Sequence, residues 1–220
     1  RINKSTVQQI NQAMSITLAI IAITCLISNP ALSNRSMLEQ LKHSPYMEST
    51  QKEYYRFITS GFVHGSLPHL FINMYVLYMF GEAVETYFVQ VFGEGMGRIN
   101  YLLLYLLAIV VGDLPTYAKH KENPAFASVG ASGAVSAILF VFILFNPWST
   151  LLLFFIIPCP AILAAILYVV YSTWASKNQN DMIDHDAHLY GAIFGFLFAI
   201  ALKPSLFETF MERLINGFPF

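Results

Sequence analysis

The chain has 220 residues, 56% of them hydrophobic and only 11% charged, with a mean hydropathy of +0.55. An ordinary soluble domain carries about 25% charged residues, so a water-soluble globule is excluded and one membrane-embedded domain spanning 1–220, with its core at 13–202, is expected. A formal net charge of −1 supplies no basic face, which excludes nucleic acid as a partner.

A membrane-crossing helix needs about 20 largely apolar residues, and shorter or polar-interrupted segments survive only where they face protein or water. Six segments qualify. The first, Ala13 to Ser28, lacks the small-residue cleavage site of a signal peptide and is expected to be retained. A polar connection over residues 29–66 contains KEYYRF (52–57) and has room for a partly inserted element. The second segment, Leu67 to Val89, carries His69, Asn73, Glu82 and Glu85, and the third runs from Arg98 to Ala118. The fourth, Ser132 to Phe145, is short and follows a glycine-bearing loop. The fifth, Trp148 to Trp174, contains Pro158 and Pro160, which kink or split it. The sixth runs from Ala187 to Leu202 and opens with His188.

Charges do not orient the bundle. Arg1, Lys4, Arg98, Lys203 and Arg213 fall on one side, against Arg35, Lys42, Lys52, Arg56, Lys119, Lys121 and Lys177 on the other, too even a division for the positive-inside rule. Cys25 lies in an apolar run and Cys159 between two prolines, a placement that points to neither a disulfide framework nor a metal knuckle.

Polar residues inside or at the ends of spans are expensive there and mark candidate sites. Three clusters stand out. Gly130-Ala131-Ser132-Gly133 opens the fourth helix, where free N–H groups and the positive dipole end could serve a serine and an oxyanion beside it; small residues at a span end also serve packing alone. In the sixth helix His188, Gly191 and Gly195 are spaced by three and four, so they share a face thin enough to bring an imidazole close to a neighbour; a histidine cap is the plainer reading. His69 and Asn73 lie one turn apart and project together as hydrogen-bond donors, while His64 fits a polar network between helices.

Taken together and in order, His64-x4-His69-x3-Asn73, Gly130-x-Ser132-Gly133 and Ala187-His188-x2-Gly191-x3-Gly195 resemble the rhomboid intramembrane serine proteases. Tyr55-Arg56 and the Gly81–Glu85 stretch resemble further elements of that family. The resemblance implies an all-α, six-transmembrane-helix bundle with a short central fourth helix, and a Ser-His dyad without a carboxylate. Ser132 would be the nucleophile and His188 its general base; the Ser132 N–H, His69 and Asn73 would form the oxyanion hole. Gly130 and Gly133 would shape the turn, and Gly191 and Gly195 would pack the sixth helix on the fourth. No metal or cofactor is implied. The partners would be the lipid bilayer and transmembrane protein substrates. The compact six-helix form points to a prokaryotic plasma membrane, with the N-terminus in the cytoplasm. We expect the fifth helix to be the mobile one.

This sequence departs from the family in three places. Ser136 stands where some relatives have a tyrosine that stacks on the catalytic imidazole, Tyr190 stands where many have a small residue, and Asp184, His185 and Asp186 form a charged approach to His188, read as a solvated helix entrance. The competing reading is a non-catalytic scaffold of the same family, which predicts loss of the serine or histidine; both are present. A metalloprotease would need an H-E-x-x-H pattern, and a transporter would show repeated broken helices; neither occurs.

Overall fold

In the computed structural model, residues 15–153, 156–177 and 183–217 are described. The expected start of the first span at Ala13 and the charges Arg1 and Lys4 lie outside them.

Helix α1 (Ile16–Ser33) begins at Ser15, whose hydroxyl accepts from the Leu18 N–H at 3.3 Å, and runs five residues past the expected Ser28 before stopping at Asn34. Its unsatisfied N-terminal donors converge on Glu85. The Ile16 and Thr17 N–H groups donate to this carboxylate at 3.0 Å and the Ser15 and Thr17 hydroxyls at 2.9 Å. A carboxylate at the positive end of a helix is stabilising, which explains an acid inside α5 (Leu67–Phe92) as the receptor for α1.

The connection expected to hold an inserted element is a folded cap of three short helices, α2 (Arg35–Leu41), α3 (Pro45–Gln51) and α4 (Arg56–Thr59), followed by a 3-10 turn at Ser60–Phe62. Arg56 ties it together from a buried position. Its guanidinium donates to the Glu39 and Lys42 carbonyls at 2.7 and 3.0 Å and to the Glu53 carboxylate at 2.6 Å.

Helices α5 and α6 (Glu94–His120) are joined through Gly93 and flank α7 (Ser132–Phe145), which begins and ends where the sequence places the fourth span. Eleven of its fourteen residues are buried, so α7 is the axis of the bundle. The fifth span is where expectation and structure part. Residues 148–174 do not form one kinked helix: strands β1 (Thr150–Leu153) and β2 (Ile157–Pro160) pair antiparallel, from Thr150 opposite Pro160 to Leu153 opposite Ile157, and only then does α8 (Ala161–Ala175) begin. Pro158 and Pro160 lack the N–H a helix interior requires, and strand-edge positions tolerate that loss.

Helix α9 (His185–Leu202) returns against α6 and α7. Beyond Pro204 a further helix, α10 (Ser205–Asn216), buries Leu206 and Phe210 in the core and leaves its charged residues outside, an amphipathic element the sequence reading did not include. Among the described residues three helices, α1, α6 and α9, are long and apolar enough to cross a membrane. α7 and α8 are apolar but shorter.

Candidate active site

The segment leading into α7 is stitched to the cap. His43 and Ser128 exchange backbone hydrogen bonds at 3.0 and 3.1 Å, and the Gly130 N–H donates to the Ser60 carbonyl at 3.0 Å. Gly130 then turns at φ +121°, where a side chain would be strained, and a Cβ there would lie 2.7 Å from the His69 ring. Glycine thus lets the chain pass under His69 just ahead of Ser132, the first residue of α7. The Ser132 N–H belongs to the helix-terminal donors that the helix itself leaves unsatisfied.

His64 braces this turn from beneath. It is wholly buried; its Nε2 accepts from the Ala131 N–H at 3.4 Å, so its proton sits on Nδ1, which donates to the Ser28 hydroxyl of α1 at 2.9 Å. Burial, with a smaller contribution from His69, pushes the His64 imidazole down to about 3, so it stands neutral as a strut between α1 and the Gly130–Ser132 turn. The His64 and His69 rings meet edge to face at 4.9 Å. Asn73, one turn along α5 and buried, donates one amide hydrogen to the His69 carbonyl at 3.0 Å and retains a second.

The helix that carries His188 meets its neighbours through backbone contact. A Cβ on Gly191 would overlap the Gly133 carbonyl oxygen, and one on Gly195 would lie 2.5 Å from that of Ala137. A Cβ on Gly133 would meet the Ala187 carbonyl oxygen at 3.2 Å, and one on Gly112 of α6 the same atom at 3.0 Å. Three helices therefore touch backbone to backbone around Ala187, the residue before His188. The glycines of the α7 and α9 motifs are thus brought together, and His69 of α5 lies against Gly130 just ahead of α7.

One residue the sequence reading missed touches both halves. Tyr168 of α8 lays its ring nearly parallel to that of His188, 14° apart with centroids at 6.4 Å, and its hydroxyl lies 2.5 Å from the Ser136 hydroxyl. Its only sequence signal is a tyrosine in an apolar run.

Behind Ser132 a small cleft is lined by Ser60, Asp113, Ser128, Gly133 and Asp184. Asp113, an acid inside a span that the sequence reading passed over, accepts from the Ser60 hydroxyl at 3.3 Å. The charged approach to His188 is a correction to expectation: it is not a solvated entrance. His185 and Asp186 are buried. Asp184 caps α9 by accepting from the Ala187 N–H at 2.9 Å and the Thr116 hydroxyl at 2.8 Å, Asp186 pairs with Lys119 at 3.3 Å, and His185 meets Tyr171 edge on at 5.6 Å. Among the described residues, no three His, Cys, Asp or Glu side chains converge as metal ligands.

A helical bundle whose buried central helix opens on a serine and packs on its neighbour through a seam of glycines narrows the class to membrane proteins of one architecture. The Rhomboid domain family model matches residues 51–205, and the chain belongs to the rhomboid family. It is an integral membrane protein. Similar proteins include RHOMBOID-like protein 12, mitochondrial, of Arabidopsis thaliana, 32% identical over 61% of this chain and 42% of that protein. Rhomboid protein 1, mitochondrial, of Saccharomyces cerevisiae is 29% identical over 71% of this chain and 44% of its own length. Rhomboid protease GluP of Bacillus subtilis is 28% identical over 76% and 30% respectively. The chain spans less than half the length of these relatives.

Proposed function

We propose that this protein is an intramembrane serine endopeptidase that hydrolyses peptide bonds in or near transmembrane segments of other membrane proteins, using Ser132 and His188 as a dyad. The observation that supports the reading is the glycine seam, in which Gly133, next to Ser132, packs on the backbone of Ala187, next to His188. Ser132 Oγ attacks the scissile carbonyl while neutral His188 takes its proton and later returns it to the leaving amine. Negative charge grows on the carbonyl oxygen, where the Ser132 N–H, His69 and the second amide hydrogen of Asn73 donate to it. His64, Gly130 and Gly133 hold the turn, and Gly191 and Gly195 hold the base.

In this reading α1, α5, α6, α7, α8 and α9 make six spans. α7, at about 1.5 Å per residue, is roughly 21 Å long, short of a hydrocarbon core of ~30 Å, so the dyad lies below the membrane surface and water reaches it from the cap side. The relatives named above are mitochondrial or bacterial. These names do not support the prokaryotic plasma membrane expected from the sequence.

The test is labelling of the detergent-purified protein with a fluorescent fluorophosphonate, followed by cleavage of a model transmembrane substrate. Ser132→Ala and His188→Ala should each remove labelling and lower cleavage by at least about 10³-fold. A folded native chain inactive in both assays would instead be the binding scaffold.

A further inference from the structure

We propose that Tyr168 is a positioning residue for the base His188, and that it aligns the imidazole only while α8 is docked against α7 and α9. The consequence for catalysis rests on the protease reading; the geometry does not.

The hydrogen-bond directions follow from proton counting. The Ser136 hydroxyl donates its single proton to the Ser132 carbonyl at 2.7 Å. It can therefore only accept from Tyr168, whose hydroxyl donates at 2.5 Å. Tyr168 is thus tethered, through one bridging hydroxyl, to the backbone of the nucleophile, while its ring lies parallel to that of His188 in an offset arrangement that aromatic pairs favour. Phe140 supports the ring from the other side at 5.6 Å. One side chain therefore touches the His188 ring and, through Ser136, the backbone of Ser132. Ser136 stands where the family resemblance led us to expect a stacking tyrosine in some relatives, and here the aromatic ring comes from a different helix.

That helix is lightly held. The buried residues of α8 are small, Ala161, Ala164, Ala165, Ser172 and Ala175, whereas Leu163, Ile166, Leu167, Val170 and Trp174 face outward. Displacement of α8, to admit a substrate helix for instance, carries the Tyr168 ring off the imidazole, so the base is aligned when α8 returns.

The experiment is the nuclear magnetic resonance signal of the His188 Cε1–H in micelles, assigned by its loss in His188→Gln, read beside cleavage kinetics. Tyr168→Leu should move this resonance downfield, shift the midpoint of its pH titration, and lower kcat about tenfold with KM within about twofold of native. Tyr168→Phe, which keeps the ring, and Ser136→Ala, which removes the bridge, should share a smaller loss of about threefold. Ala165→Trp, a wedge between α8 and its neighbours, should move the resonance as Tyr168→Leu does. A His188 resonance and titration unmoved by Tyr168→Leu overturns the proposal, whatever the activity. If the native chain neither labels nor cleaves, the protease reading fails, and the resonance alone still decides whether Tyr168 positions His188.

Discussion

Helices α9 and α8 both lean on α7, and they do so by opposite means. α9 approaches through glycines until backbone meets backbone, a contact in which nothing can rotate aside. α8 approaches through alanines and the partly buried side chains Ile162, Tyr168 and Val169, with most of its apolar surface turned outward. A seam of backbone contacts has no side chain to give way, whereas a contact through side chains can be made and unmade. The bundle thus combines a fixed wall of backbone contacts and, on the proposal above, a movable one.

Breaking the fixed wall should have the largest effect. Gly191→Val drives a branched side chain into the Gly133 carbonyl, and should cost about 3 kcal/mol or more, seen as loss of monodisperse protein and of the thermal transition in detergent. Gly130→Ala should cost about 1–3 kcal/mol through its strained φ and, by pushing on His69, slow fluorophosphonate labelling more than it lowers the melting temperature.

The turn beneath Ser132 sharpens the comparison through pH. His64 is neutral when folded because burial holds it at about 3, against an ordinary value of 6.5. On acidification the unfolded chain takes up this proton first, so the stability that His64 contributes is complete above about pH 6.5 and falls toward pH 3, by up to about 1.4 kcal/mol per pH unit. The melting temperature should therefore drop between pH 7 and 4.5, and His64→Gln should flatten that drop while lowering the value at pH 7.

The movable wall gives the smaller effects. Cross-linking α8 to α5 should slow cleavage of a transmembrane substrate about tenfold while sparing labelling by the small probe; equal rates before and after cross-linking would remove α8 as the gate. Leu167→Ala, on the outward face of α8, should change stability by less than about 0.5 kcal/mol.

The fixed wall was legible in the sequence and the movable one was not. Ser132 lies between Gly130 and Gly133, and His188 is followed by Gly191 and Gly195 at helical spacing; that spacing is a local signal, so the limits of α7 and the face of α9 could be read directly. The apolar stretch 148–174 has no periodicity that separates strand from helix; its prolines announced a break without saying that a paired ribbon would replace the first half of a helix. Tyr168 was hidden for the same reason. Its partner Ser136 is 32 residues away, and their meeting depends on the direction in which the ribbon launches α8. Asp113 was legible as an acid within an apolar span and was passed over because no motif contained it.

The β1–β2 ribbon presents an apolar surface just ahead of α8. It turns Leu152, Ile156 and Ile157 outward, at 59%, 78% and 55% exposure, and its ladder satisfies backbone groups that a bare loop would leave open to lipid. The ribbon is covalently continuous with α8, so any shift of the ribbon would be carried into the start of that helix.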